Sequence, residues 1–182
     1  NARNNLILTA RKVSASHLLL IDTDIIPFSY DSKEKKFIPF PQAIDFMLSL
    51  NYPIVSGLYL SKKDFKPCVY EYTGDEEKPF KPTELKFEDL VNKISFIDAC
   101  GLGFFLIDLR VFDILEKNGY FPFFKYKTDY EKGIEISEDL YFCNLLRKNG
   151  FPIMLLGQIV CGHMLTANLL PDGRIEYAPI SE

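Results

Sequence analysis

The sequence predicts an α/β fold with a mostly parallel central sheet flanked by helices. Predicted strands alternate with predicted helices along most of the chain. His17–Ile21 (HLLLI) is a short, continuously apolar run, which is typical of a strand buried on both faces of a parallel sheet. The length of 182 residues suits one domain, so residues 1–182 are expected to form a single domain. Because ligands in such sheets bind beyond the carboxyl ends of strands, the residues that follow each strand are the first candidates for a site.

The individual elements follow from apolar spacing, caps and breakers. Helices are predicted over residues 4–14, 41–50, 109–117 and 138–148. Strands are predicted over residues 17–21, 54–60, 67–72, 95–98, 103–107, 152–156 and 159–161. Loops are predicted over residues 29–36, 73–84 and 120–136, and residues 167–182 as a tail or an added strand.

End signals support the helix predictions. Pro41 is a helix-start residue, and Ser137 is an N-cap candidate directly before an apolar periodic run. Asn-Gly pairs at 118–119 and 149–150 are typical of helix C-termini.

Composition excludes some function classes. The formal net charge of -4 and the pI of about 5.3 argue against a nucleic-acid partner, which would need a basic face. An acidic protein that binds a diphosphate needs a local positive charge, and a metal ion is the simplest source. No run of eighteen apolar residues occurs, so no transmembrane segment is predicted. The four cysteines show no CxxC pair, and buried free thiols suit a reducing compartment, so a cytoplasmic location is expected.

Asp22 and Asp24 form a DxD motif directly after the first predicted strand. Two carboxylates at this spacing can bind one hard divalent cation and leave positions open for phosphate oxygens. The same pair could instead cap a turn at the strand exit, which is a common structural use of aspartate.

Other residues are candidates by their position. Glu138 and Asp139 follow the N-cap Ser137, where the helix dipole stabilises carboxylates, and one of them could be a general base. His163 follows a strand, where it could be a third metal ligand or be merely structural. Gly101 and Gly103 could form a tight bend or allow the backbone to approach a sugar closely.

In their order along the chain, six stretches resemble the GT-A glycosyltransferases, especially the family-two-like group. They are ARNN (2–5), HLLLIDTDIIP (17–27), YPIVSGLYLSKK (52–63), IDACGLGFFLIDLRVFDIL (97–115), SEDLYFCNLLRKNGFPI (137–153) and GHM (162–164). Members of this family normally have several strands before the ARN-like helix, and these strands bind the nucleotide base. The resemblance therefore implies a chain that lacks its first strands and is N-terminally incomplete.

The resemblance also implies roles for particular residues. Asp22 and Asp24 match the motif that binds Mn²⁺ or Mg²⁺ together with the donor diphosphate, and His163 matches a histidine that completes the metal site in some members. Asp139, with Glu138, matches the acidic pair that supplies the catalytic base. Gly101 and Gly103 match a segment that lines the sugar site, and Arg3 matches a stretch near the nucleotide.

The expected activity is transfer of a sugar from a nucleotide-diphosphate sugar to a hydroxyl of a glycan, protein or lipid acceptor, with inversion at the anomeric carbon. Asp139 would take the acceptor proton, and the aromatic segment 120–136 would close over the donor. A retaining outcome stays open. Two alternatives remain: a nucleotidyltransferase, which also uses paired carboxylates and a metal, and a non-catalytic carbohydrate-binding relic of the same fold.

Overall fold

The computed structural model describes residues 2–61, 66–129, 133–163, 167–169 and 175–177. The helices are α1 (Ala2–Lys12), α2 (Ala43–Ser49), α3 (Phe87–Leu90), α4 (Leu109–Lys117) and α5 (Glu138–Lys148). The strands are β1 (His17–Ile21), β2 (Ile25–Asp31), β3 (Lys36–Pro39), β4 (Ile54–Tyr59), β5 (Val69–Tyr72), β6 (Phe80–Pro82), β7 (Ile94–Ile97), β8 (Ala99–Cys100), β9 (Phe104–Asp108), β10 (Lys127–Asp129), β11 (Ile134–Ile136), β12 (Ile153–His163), β13 (Ala167–Leu169) and β14 (Ile175–Tyr177).

Seven strands form the main sheet, in the order β1-β9-β4-β12-β2-β3, with β7 beside the first half of β12. Strands β4 and β12 pair in parallel, and every other neighbouring pair described in this sheet is antiparallel. Helices account for only about a quarter of the described residues. The prediction of a mostly parallel central sheet flanked by helices is therefore wrong, because the sheet is mixed and mainly antiparallel.

The strand β9 explains the error. Strands β1 and β4 point in the same direction, as the alternation of strands and helices suggests, but both pair antiparallel with β9, which lies between them. Strand β9 comes later in the chain than both its neighbours. Local sequence periodicity does not reveal such an insertion, because it reports which faces of a strand are buried and not which strand lies alongside.

One edge of this sheet still brings strand ends together. The carboxyl ends of β1, β4 and β12 lie beside the amino ends of β9 and β2, because these pairs run antiparallel. In the register, Ile21 pairs with Phe104 and His163 pairs with Ile25. The Asp22 N–H donates to the Gly103 carbonyl at 2.9 Å, which extends the β1–β9 ladder by one step. The DxD motif and the 101–103 segment are therefore adjacent.

Strand β9 lies at the centre of the core, and all five of its residues are buried. Its alternate side chains point to opposite faces of the sheet. Phe105 packs on one face with Phe112 of α4 and Phe142 of α5, whereas Phe104 packs on the other face with Met47 of α2. Helices therefore cover both faces of the sheet at β9.

The predicted bounds of β1, α4 and α5 are confirmed. All three loop predictions are wrong in part. Residues 29–36 include parts of β2 and β3, residues 73–84 include β6, and residues 120–136 include the paired strands β10 and β11. Phe123 and Phe124, within the segment expected to close over a donor, are core residues with 0% and 1% exposure. In the described parts of the chain, no helix has the length and apolar character needed to cross a membrane.

Candidate functional site

Arg3 lies at the centre of a group of acidic side chains, which we call the Arg3 cluster: Arg3, Asp22, Glu138 and Asp139. The Arg3 Nη1 atom contacts an Asp139 carboxylate oxygen and lies 3.0 Å from Glu138 Oε1, while Nη2 lies 3.6 Å from Asp22 Oδ1. These residues come from α1, from the end of β1 and from the first turn of α5. The fold therefore brings three of the candidate acidic residues to one guanidinium.

The position of Arg3 is fixed by its neighbour Asn4, a buried polar residue of α1. The Asn4 amide donates to the Phe124 carbonyl at 2.8 Å, and its oxygen accepts from the Phe123 and Phe124 N–H groups at 3.0 and 3.2 Å. Since these bonds tie α1 to a core loop, Arg3 is held against the edge of the core. Its guanidinium carbon lies 5.9 Å from the centroid of the Phe124 ring.

Asp139 is the most enclosed acid of the cluster, with a side chain that is 25% exposed. Its Oδ1 accepts a hydrogen bond from Arg3 Nη1, and its Oδ2 accepts one from the Leu102 N–H at 3.1 Å. Burial raises the pKa of Asp139, and the charge of Arg3 and the Leu102 hydrogen bond oppose that rise. Burial lowers the pKa of Arg3, but the surrounding carboxylates, Asp139 foremost, outweigh this effect and raise it overall. The guanidinium therefore stays charged.

The local fold of α5 explains why these carboxylates stand here. Ser137 is extended and accepts the Leu140 N–H at 3.4 Å, as an N-cap does, which confirms the predicted start of the helix. Glu138 and Asp139 lie in the first turn, where the helix dipole favours negative charge.

Gly101 and Gly103 border the cluster, but a protein side chain already occupies the space that they leave open. A Cβ atom at position 101 would lie 1.6 Å from the Tyr59 hydroxyl. A Cβ at position 103 would lie 3.1 Å from Asp22 Oδ2 and 3.6 Å from Tyr59 Cζ. The lack of a side chain at position 101 therefore makes room for Tyr59, which sequence analysis did not single out.

The structure brings Asp22 of the DxD motif to the Arg3 cluster. The side chain of Asp22 is 53% exposed, and Asp24 is half-buried. Among the described residues, no group of three or more His, Cys, Asp or Glu side chains is arranged to bind a metal. The backbone of His163 ends β12 beside Ile25, one residue after the motif, but its side chain lies outside the described part of the chain. The proposed ligand set of Asp22, Asp24 and His163 stays a prediction.

The comparisons with known proteins found a likeness in structure. No protein-family model and no curated protein matches the sequence. Among solved structures that match, A197 from STIV aligns with 99% of this chain and 78% of its own, at 18% identity and a TM-score of 0.53. At that identity, the likeness shows a shared fold.

Proposed function

We propose that this protein is a glycosyltransferase that transfers a sugar from a nucleotide-diphosphate sugar to an acceptor hydroxyl. The observation that supports the proposal is the Arg3 cluster. The family resemblance assigns Asp22 to the donor side and Asp139 to the acceptor side. Both carboxylates contact one guanidinium, although 117 positions separate them in the chain (139 minus 22). A one-step displacement needs these two sides within reach of the same anomeric carbon.

Asp139 is the general base of the proposed reaction. Burial raises its pKa, which makes it a better proton acceptor than an exposed carboxylate, while Arg3 and the Leu102 N–H favour its ionised form. Each carboxylate oxygen has two lone pairs, so an acceptor hydroxyl can still bind beside these partners. In this proposal Asp139 removes the hydroxyl proton as the acceptor oxygen attacks the anomeric carbon. The bond from that carbon to the diphosphate oxygen breaks in the same step, and the configuration inverts.

Asp22 and Asp24 are the residues that would bind a divalent cation. The donor set fits Mn²⁺ or Mg²⁺, since both ligands are hard carboxylate oxygens and Asp22 is open to solvent. When bound, the metal would supply positive charge for the leaving diphosphate. Arg3, 3.6 Å from Asp22, adds a second positive group at the same place.

The test is a turnover assay with a panel of nucleotide-diphosphate sugars and simple glycan acceptors in the presence of Mn²⁺. We expect release of the nucleoside diphosphate and a glycosylated product whose anomeric configuration NMR reports as inverted. Asp139→Asn should lower turnover by about 10² to 10⁴-fold, the usual contribution of a general base.

Glu138→Gln is the matched control, because Glu138 shares the helix turn and the Arg3 contact but accepts no hydrogen bond from Leu102 in the described contacts. It should retain turnover within about tenfold of wild type. Pyrophosphate release would instead establish a nucleotidyltransferase. Donor binding without any turnover would establish a carbohydrate-binding relic, and equal losses in both variants would remove Asp139 as the base.

A further inference from the structure

Tyr59, at the carboxyl end of β4, lies against the backbone of residues 101–103. Its hydroxyl occupies the space of a side chain at position 101, and its ring borders Gly103. Neither Gly101 nor Gly103 has a φ in the left-handed region, so the backbone conformation does not demand glycine there. The tyrosine and the glycine at 101 are therefore complementary in shape.

The contact also includes a polar interaction. The Tyr59 hydroxyl makes a hydrogen bond with the Gly103 backbone, and burial raises the pKa of the phenol far above its ordinary value, so it remains neutral. Leu102, between the two glycines, buries its side chain completely and donates its N–H to Asp139 at 3.1 Å. The 101–103 segment thus contacts both Tyr59 and Asp139.

We propose that Tyr59 is a positioning residue, which packs on Gly101 and Gly103 and thereby holds the Leu102 N–H against the Asp139 carboxylate. Its importance for catalysis rests on the proposed function, in which Asp139 is the base. The positioning itself is a property of the folded protein and can be measured without turnover.

Charged and titratable groups from several described elements surround Asp139. Arg3 faces it from α1, Glu138 adjoins it in α5, and Tyr59 and Cys100 approach from β4 and β8. Asp22 also contacts Arg3, which connects it to Asp139. Tyr59 and Cys100 stay neutral around the pH at which Asp139 titrates, because burial raises both pKa values. A change in the Asp139 titration after a substitution at Tyr59 therefore reports the Leu102 hydrogen bond and the packing around it.

The experiment follows the ¹³C signal of the Asp139 carboxyl group through a pH titration, with Asp139→Asn used to assign it. Tyr59→Phe keeps the ring and removes the hydrogen bond to Gly103. We expect the Asp139 midpoint to move to higher pH, because a loosened Leu102 N–H stabilises the ionised form less. If Asp139 is the base, the acid limb of the activity profile should move in the same direction.

Tyr52→Phe is the matched control. Tyr52 precedes the same strand and packs on Phe96, with ring centroids 5.7 Å apart, and it has no described contact with the 101–103 segment. In the Tyr52→Phe protein, the Asp139 carboxyl should titrate with the same midpoint pH as in wild type. An unchanged midpoint in a folded Tyr59→Phe protein, or equal shifts in both variants, would overturn the inference.

A further measurement needs no substitution at Tyr59. In the wild-type protein, the amide ¹⁵N shifts of Leu102 and Gly103 and the shift of the Tyr59 phenol carbon should all change with pH. Their curves should have the same midpoint pH as the Asp139 carboxyl signal, since one segment connects these groups. A Tyr59 signal that ignores this titration would contradict the positioning role. Absence of sugar transfer together with a coupled titration would reject the proposed function and leave the positioning intact.

Discussion

Two groups of charged residues in this protein have similar chemistry but different surroundings. The first is the Arg3 cluster. The second, which we call the Glu76 cluster, joins a surface loop to the end of α5: Glu76, Tyr72, Arg147 and Lys148. Arg147 Nη2 and Lys148 Nζ each lie 2.5 Å from a Glu76 oxygen, and the Tyr72 hydroxyl donates to Glu76 at 2.8 Å. Arg147 also lies over the Tyr72 ring, 3.7 Å from its centroid.

Burial and charge balance distinguish the two clusters. The side chain of Arg3 is 17% exposed, whereas that of Glu76 is 50% exposed and in contact with water. In the Arg3 cluster one cation contacts three carboxylates, whereas in the Glu76 cluster one carboxylate contacts two cations. The Glu76 cluster satisfies its carboxylate fully and serves to fasten a loop. In the Arg3 cluster three carboxylates contact one partly buried cation, and charged groups enclosed in this way are common at functional sites.

Arg3→Ala should have the largest effect on stability. It would leave the enclosed Asp139 beside Glu138 and Asp22 without their shared cation, and loss of one partner of a buried ion pair costs about 3 kcal/mol. We expect that loss in the free energy of unfolding near pH 7, measured by urea denaturation with far-UV circular dichroism, which suits a chain without tryptophan.

Arg147→Ala is the matched control for this prediction, because it also removes a clustered arginine. Exposed ion pairs contribute about 1 kcal/mol or less, so its effect should be several-fold smaller. Equal losses for the two arginines would show that burial does not distinguish the clusters.

If Asp22 and Asp24 bind a divalent cation as proposed, Mn²⁺ should stabilise the protein. At a hundredfold excess over its dissociation constant, a ligand adds about 2.7 kcal/mol to the free energy of unfolding. Asp22→Asn and Asp24→Asn should each remove most of this gain, measured as the Mn²⁺-dependent shift in melting temperature. Glu76→Gln alters a carboxylate of similar exposure and should leave the shift unchanged. No shift in the wild-type protein would refute the metal proposal.

The sequence predicted the members of the Arg3 cluster better than the sheet that assembles them. Asp22, Glu138 and Asp139 were identified because they follow a strand or begin a helix, and such positions are visible in local sequence. Strand β9, which reverses the expected pairing, was itself predicted over almost its true range. Its partners were not, because pairing depends on contacts between residues far apart in the chain.

Tyr59 and Asn4 were missed for a related reason. A tyrosine at the end of an apolar strand is an ordinary core residue by its local pattern, and its importance follows only from its contact with Gly101. The one available signal was the pair of glycines, which indicated that something approaches the backbone closely. The sequence does not say whether that group is a ligand or another part of the protein.

The pH dependence of stability should have opposite signs in the two clusters. Burial raises the pKa of Asp139, so between its ordinary value and the raised value the folded state binds more protons, and stability falls as pH rises. The hydrogen bonds from Lys148 and Tyr72 lower the pKa of Glu76 to about 2. Ionised Glu76 therefore stabilises the folded state above the ordinary glutamate pKa, and this stabilisation is lost as pH falls toward 2.

Unfolding curves recorded across the acidic range test these signs. Relative to wild type, Asp139→Asn should become more stable as pH rises through the Asp139 interval. Glu76→Gln should become less stable relative to wild type as pH rises through the Glu76 interval, with a small amplitude because Glu76 is exposed. If the stability differences of the two variants from wild type changed with pH in the same direction, burial would not be the dominant cause of the shifted Asp139 pKa.

Salt should change the stability effects of the variants least, but it should distinguish the two clusters most directly. At 1 M ionic strength the screening length is about 3 Å, which weakens interactions between exposed charges but affects enclosed pairs much less. The effect of Arg147→Ala should therefore shrink by a few tenths of a kcal/mol in 1 M NaCl, leaving the packing of its guanidinium on Tyr72, whereas the effect of Arg3→Ala should keep most of its size. Parallel losses in both variants would mean that water reaches Asp139 as freely as it reaches Glu76, and the enclosed base on which the proposed chemistry depends would not exist.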